Sequence, residues 1–340
     1  MRALVCEAYG PIENLRIAEL PVPEPKAGEI LVRVGAAGVS FAAMLGVQGK
    51  HQNKPPLPYV PGNELAGHVM KRGPGVTNIA VGDRIAAGVS QGAYAEYAIV
   101  LAANAIPIPE TMPYAQATNF PTLYPTAYGA LKWKADIQPG EVLLVHGAGG
   151  GSGLTAIEVG KAMGAIVIAS AGGQDKLVAA REHGADHLID YRDEDLRTRV
   201  LALTDGRGAD VIYDPVGGSA FDVSLRCVAP EGRLIPMGFA SGTIPQIPAN
   251  ILLVKNVTVI GFYYGYYNGW GGKSALSARE AASLAKRRAM VMDAQKRLMR
   301  WFTEDKLRAT IAGTFDLADW VDGFRLIEQR TVVGKAVLVP

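Results

Sequence analysis

Residues 141–165, EVLLVHGAGGGSGLTAIEVGKAMGA, decide the reading of this chain. Glu141–His146 is short and apolar throughout its middle, as a strand buried on both faces must be. Seven residues follow, Gly147-Ala148-Gly149-Gly150-Gly151-Ser152-Gly153, and then an apolar-periodic helix to about Met163. Ala148-x-Gly150-x-x-Gly153 fits the dinucleotide fingerprint with alanine in the first place. Glycines there let the backbone turn tightly and approach a pyrophosphate. The helix N-terminus then presents free N–H groups and the positive end of its dipole to the phosphates. Such a glycine pattern alone is a weak sign, and the strand before it and the helix behind it are its confirming context.

Outward from that loop the βα rhythm continues. Strand Ala165–Ala171 is followed by a helix over Asp175–His183, strand His187–Tyr191 by helix Glu194–Leu203, and strand Asp210–Asp214 by a helix near Ala220–Arg226; strands Arg233–Met237 and Val257–Phe262 close the series. Alternating units of this length predict an α/β fold with a doubly wound parallel sheet. The preceding 110 residues read differently. Ile30–Val34 is a strand, glycines recur at turn-like spacing from Gly62 to Gly92, and Pro55, Pro56, Pro58 and Pro61 make a stiff non-helical loop, so a β-rich domain of barrel type is expected. Residues 274–304 read as one long helix whose Lys286-Arg287-Arg288 run is a solvated face. Lys335–Val339 returns to strand character and is expected to rejoin the N-terminal domain.

Composition excludes several classes. With 49% hydrophobic and 19% charged residues the chain has the makings of a large core. A net charge of +2 offers no footprint for nucleic acid. The two cysteines, Cys6 and Cys227, cannot build a disulfide framework or a cysteine-rich zinc module and read as small buried hydrophobes. The N-terminus has no signal-peptide pattern and no apolar run reaches the length of a membrane span, so a cytoplasmic location, away from the membrane, is expected.

Cofactor choice turns on the end of the second strand. An NAD site places an acid about 20 residues past the fingerprint, on the ribose 2′-hydroxyl. Here Ser170-Ala171-Gly172-Gly173-Gln174 stands in that place, and Asp175 is positioned to cap the next helix. A pocket without that acid admits a 2′-phosphate. Lys176 is the nearest cation and Tyr191 supplies a hydroxyl, so NADPH is expected.

Several ordered motifs across essentially the whole length now carry a resemblance. They are Pro61-Gly62-Asn63-Glu64-Leu65-Ala66-Gly67, Val81-Gly82-Asp83-Arg84-Ile85, Gly92-Ala93-Tyr94-Ala95-Glu96-Tyr97, Thr126-Ala127-Tyr128-Gly129-Ala130-Leu131, the glycine loop, Asp190-Tyr191-Arg192, Asp214-x-Val216-Gly217-Gly218 and Gly334-Lys335. The chain resembles the zinc-independent quinone oxidoreductase branch of the medium-chain dehydrogenase/reductase superfamily. The resemblance implies a GroES-like substrate domain from residues 1–122 and 305–340, with a Rossmann domain over 123–304 between them. It implies NADPH in the cleft, a homodimer joined through the edges of the nucleotide-domain sheets, and hydride transfer to a quinone or an electron-poor alkene. Cofactor contacts then fall on Thr126, Gly150, Gly151, Ser152, Gly153, Ser170, Gly172, Lys176, Tyr191, Phe239 and Arg330.

Departures from the pattern matter equally. Zinc-dependent relatives carry metal ligands at the positions of Ser40, Asn63 and Thr122, none of them a good zinc ligand; Glu64 remains, but one carboxylate is not a catalytic zinc site. Neither zinc nor the alcohol oxidation that depends on it is expected. Quinone reductases of this branch often carry Asn, Asp and Tyr where this chain has Ser40, Ala43 and His51. Ser40 and His51 are therefore the candidate catalytic residues. His51 stands where related enoyl-thioester reductases carry a proton-donating Tyr, and an imidazole can donate a proton near neutral pH; it reads equally as an exposed loop histidine. Tyr263, Tyr264, Tyr266, Tyr267 and Trp270 form an aromatic patch that could line a flat pocket or cover a dimer seam. A 2-enoyl-thioester reductase and an NADPH-binding protein without turnover remain the alternatives.

Overall fold

The computed structural model describes residues 1–52, 54–269 and 276–340. Its chain divides into two compact units, residues 1–122 with 309–340, and residues 123–308. The first takes up the chain's end. The residues after the long helix stay with the second as far as Arg308, whose N–H donates to the buried Glu158 carboxylate at 2.9 Å.

The second unit is built on a six-stranded sheet in the order His187–Asp190, Ile166–Ala171, Val142–His146, Ala209–Asp214, Val228–Pro236, Thr258–Val259. Every pairing is parallel. With strands numbered along the sequence this is 3-2-1-4-5-6, an order of the doubly wound parallel class that the alternating pattern predicts. Helices on both faces account for the unbroken apolar runs, and all five residues of Val142–His146 are buried. Two strands depart from expectation. The fifth begins at Val228 and slips register between Val228 and Arg233, where Glu231 takes a φ of 59°. The last is only Thr258–Val259, because it lies at the sheet edge and has a partner on one side alone. The long helix runs Ala278–Thr303 from a Ser277–Glu280 capping box. The Lys286–Arg288 run on it is not wholly a solvated face, since Arg287 lies 3.9 Å over the Tyr266 ring.

The first unit contains the antiparallel pair Arg2–Cys6 with Leu15–Glu19 and a seven-stranded sheet. The expected strand at residues 30–34 is the first half of Glu29–Val39, the hub that pairs with Glu64–Arg72, Tyr97–Leu101 and Lys335–Val339. The returning segment enters beneath Gly38, where a Cβ would lie 2.3 Å from Lys335 Cε. Gly334, at φ 86°, turns the chain into that position. Both cysteines are buried, as the reading of them as small hydrophobes predicts, and they are not linked.

Candidate functional site

The glycines of the loop do three different jobs. Gly147, at φ 58°, makes the tight turn that the fingerprint's first position usually makes. A Cβ at Gly153 would lie 2.3 Å from the Gly147 carbonyl oxygen and 2.7 Å from Ala148 Cα, so the helix packs this close only without a side chain. Gly150 is otherwise. Its φ of −84° suits any residue, and the nearest atom to a Cβ there is 3.6 Å away, an ordinary contact. Nothing in the chain's own packing calls for glycine at 150, and a ligand pressed against its backbone would. Gly150 also caps the helix Gly151–Ala162 without a side chain, and the N–H groups of Gly151 and Ser152 meet no acceptor among the described residues. Phosphate oxygens suit those donors. Ser152 Oγ is 2.9 Å from the buried Tyr213 hydroxyl, which fixes its side chain beside the free backbone N–H.

At the end of the neighbouring strand, Ser170 Oγ is buried with no hydrogen-bond partner among the described residues. Gly173, at φ 100°, occupies the cap of the helix Gln174–Glu182. This corrects the expectation for Asp175, which sits inside the first turn and caps nothing. The turn before the helix is held by Asp190 from the third strand, whose Oδ2 accepts from Gly173 N–H at 3.1 Å while Oδ1 accepts from Arg192 N–H at 3.1 Å. The acid that ends this strand is thus consumed by the turns. Tyr191 and Arg192 fold over the two glycines, since a Cβ on Gly172 would lie 2.7 Å from Tyr191 Oη and 2.8 Å from Arg192 Nε. The Lys176 stem lies against the glycine loop, 2.5 Å from where a Gly149 Cβ would be. The structure therefore brings Gly150–Gly153, Ser170, Gly172, Lys176 and Tyr191 to neighbouring strand ends of one sheet.

On the other side of the loop, Asp214 Oδ1 accepts from the N–H groups of Val216 and Gly217 at 2.8 and 3.0 Å, and Oδ2 is buried with no hydrogen-bond partner among the described residues. Phe239 lies beside that turn, 3.0 Å from a Gly217 Cβ, and is 40% exposed. His146, at the end of the central strand, meets Ser224 Oγ at 2.8 Å; Ser224 donates to the Ala220 carbonyl, which leaves His146 Nε2 as the donor. Burial holds this imidazole's pKa below its ordinary value, against the pull of Asp214. Thr126 is half-buried on the helix Leu123–Tyr128. Arg330 is exposed, with φ 56°, and belongs to the first unit rather than to this one.

In the first unit, Ser40 Oγ accepts from Ala43 N–H at 3.1 Å and caps the helix Phe41–Val47, a role the sequence pattern did not disclose. His51 is half-buried just beyond that helix and donates its N–H to the Leu45 carbonyl at 3.1 Å. Asn63 Nδ2 donates to the Ser90 carbonyl at 2.8 Å. The Glu64 carboxylate is buried and paired with the buried Lys335 ammonium, which also donates to the Thr118 carbonyl at 2.7 Å. Burial pushes the carboxyl up and the ammonium down, each opposed by the other's charge. A carboxylate so engaged is spent as a metal ligand, and no group of three His, Cys, Asp or Glu suited to a metal occurs among the described residues.

The Tyr263–Tyr267 patch is not an open slot. Tyr267 stacks on Trp133 at 4.9 Å and meets Phe262 at 5.6 Å, so these rings fill one another's space. Tyr264 is buried, its hydroxyl pushed up to about 12 by burial, while Tyr263 and Tyr266 are exposed. Trp270 lies outside the described residues. Tyr213 carries no sequence signal, and Arg192 enters the sequence reading only within the Asp190-Tyr191-Arg192 motif, not as a site residue. Tyr213 reaches Ser152 across 61 residues of chain, which no local pattern reports. Arg192 could have been found, since it stands next to Tyr191 at the strand end.

Residues 26–110 match the family model of the alcohol dehydrogenase GroES-like domain, and residues 151–278 that of zinc-binding dehydrogenase. A quinone oxidoreductase-like protein 2 homolog of Nematostella vectensis is 38% identical over 312 residues, 91% of this chain and 81% of that protein. The quinone oxidoreductase-like protein 2 of Bos taurus is 34% identical over 99% of this chain and 91% of its own. The crystal structure of Escherichia coli quinone oxidoreductase complexed with NADPH superimposes with a TM-score of 0.87 at 28% identity, covering all of both chains.

Proposed function

The chain belongs to the zinc-independent quinone oxidoreductase branch of the medium-chain dehydrogenase/reductase superfamily, and from that premise we propose that it is an NADPH-dependent oxidoreductase acting on a quinone or an electron-poor, enone-type double bond without zinc. The observation that carries the reading is Gly150, a glycine that the fold does not need and a phosphate-bearing ligand does. Bound NADPH would supply the hydride. The loop Gly150, Gly151, Ser152 and Gly153 would receive the pyrophosphate, with the N–H groups of Gly151 and Ser152 as donors, and Ser170, Gly172, Lys176 and Tyr191 the adenosine ribose and its phosphate. Thr126, Phe239 and Arg330 complete the proposed contacts.

His51 is the proposed donor of the proton that an enolate requires after hydride addition. Ser40 is proposed beside it; its cap bond uses a lone pair and leaves the hydroxyl proton to donate. Replacing His51 by phenylalanine is expected to slow enone reduction by about 10²–10⁴-fold without weakening NADPH. Unchanged turnover would make it a loop histidine.

A homodimer fits the exposed edge strand Thr258–Val259 and the helix Ala249–Lys255, which buries none of its residues and leaves Leu253 and Val254 each 77% exposed. No described helix is long and apolar enough to cross a membrane. We place the protein in the cytoplasm with a small-molecule substrate, and no nucleic acid, as its partner.

The decisive assay is NADPH oxidation with a panel of quinones, enones and enoyl thioesters, with an alcohol plus NADP⁺ as control. Turnover of quinones or enones is expected, insensitive to chelator and without stoichiometric zinc by elemental analysis. Tight NADPH binding with no turnover of any acceptor would favour a non-catalytic binder. About one zinc per chain with chelator-sensitive activity would overturn the metal-free mechanism.

A further inference from the structure

We propose that Arg192 is the residue that selects for the ribose 2′-phosphate, an inference that rests on the NADPH reading above. Four observations converge on it. In a doubly wound sheet the ribose 2′ position falls at the end of the second strand, which here is Ala171, followed by Gly172 and Gly173. Arg192 Nε would lie 2.8 Å from a Cβ on Gly172, and Nη1 3.2 Å from one on Gly173, so its guanidinium is laid across that strand end. Gly172 does not take a positive φ, so its lack of a side chain answers to the room that Arg192 and Tyr191 occupy.

The acids around it are engaged elsewhere. Asp190 accepts from the N–H groups of Gly173 and Arg192 itself. Glu194 accepts from Asp190 N–H at 3.1 Å and pairs with Arg199 at 2.5 Å. The exposed Arg192 side chain has no carboxylate partner among the described residues. A guanidinium without an acid partner, presenting a planar fork of donors, suits a phosphate dianion and has nothing to offer a neutral 2′-hydroxyl that water does not. Lys176 differs in place, because its stem rests on Gly149 in the loop.

The test measures dissociation constants by calorimetry on the whole protein for NADPH, NADH and 2′,5′-ADP. Arg192→Gln should weaken NADPH and 2′,5′-ADP by roughly 10- to 100-fold, the loss of one or two charge-assisted hydrogen bonds, and leave NADH within twofold. Arg192→Lys should recover part of the loss. Unchanged NADPH affinity in Arg192→Gln, or a loss of the preference only in Lys176→Ala, overturns the assignment and leaves the NADPH reading standing. Equal losses for NADPH and NADH also overturn it, because they indicate a misshapen turn. A wild-type protein that binds NADH as tightly as NADPH removes the NADPH reading itself.

Discussion

Lys335→Met should destabilise the protein by about 3–5 kcal/mol, the cost of leaving a buried charge without its partner. Glu64 and Lys335 are both buried, and the strand Lys335–Val339 brings the ammonium to the carboxylate from the far end of the chain. Without the ammonium, the Glu64 carboxylate must either stay charged in a medium that solvates it poorly or take up a proton that it would not hold in water. The matched variant Glu64→Gln with Lys335→Met should recover most of the loss, because two neutral side chains then replace two charges. Thermal and urea unfolding followed by circular dichroism measure both. A single-variant cost below about 1 kcal/mol, the scale of an exposed pair, would show that water reaches the site.

The second large effect separates binding from folding within four residues. Gly150→Val should raise the dissociation constant of NADPH by about 100-fold, the equivalent of one or two lost charge-assisted hydrogen bonds, and lower the melting temperature only by the small amount that a poorer N-cap costs, about 1 kcal/mol. Its backbone is extended and nothing of the chain lies nearer than 3.6 Å to the new Cβ. Gly153→Val should instead unfold the second unit at lower temperature, because its Cβ would be driven to 2.3 Å from the Gly147 carbonyl oxygen. Wild-type NADPH affinity in Gly150→Val would remove the main support for the cofactor site. An unperturbed melt in Gly153→Val would mean that the helix can shift off the strand.

Local pattern told a great deal about the second unit because its code is local. The glycine run, the apolar strands and the helices between them each fall within a dozen residues, and parallel strands buried on both faces admit few arrangements. So the parallel, doubly wound character of the sheet, the place of the helix behind the glycine loop and the strand ends that carry Ser170, Gly172 and Tyr191 were legible in the sequence. Boundaries were less so where a tertiary partner decides them, as at the edge strand Thr258–Val259.

The particular uses of side chains were not legible. Ser40 has the residue type and position of a reactive group, and nothing in the local pattern shows that its oxygen also caps a helix. Asp175 looks like a cap, yet the carboxylate that holds the turn arrives from Asp190 on another strand. The aromatic run looks like a slot until Trp133, more than a hundred residues earlier in the chain, is found stacked on Tyr267. By itself the sequence determined the fold class, the fingerprint loop and the lack of a cysteine-based metal site, because periodicity, glycine spacing and residue type are properties of neighbours along the chain. Only the tertiary structure decided that Glu64 is neutralised by Lys335, that Ser152 is held by Tyr213, and that Arg192 lies over Gly172. Hydrogen bonds and ion pairs join whatever the fold brings within about 3 Å, and separation along the chain carries no record of that distance.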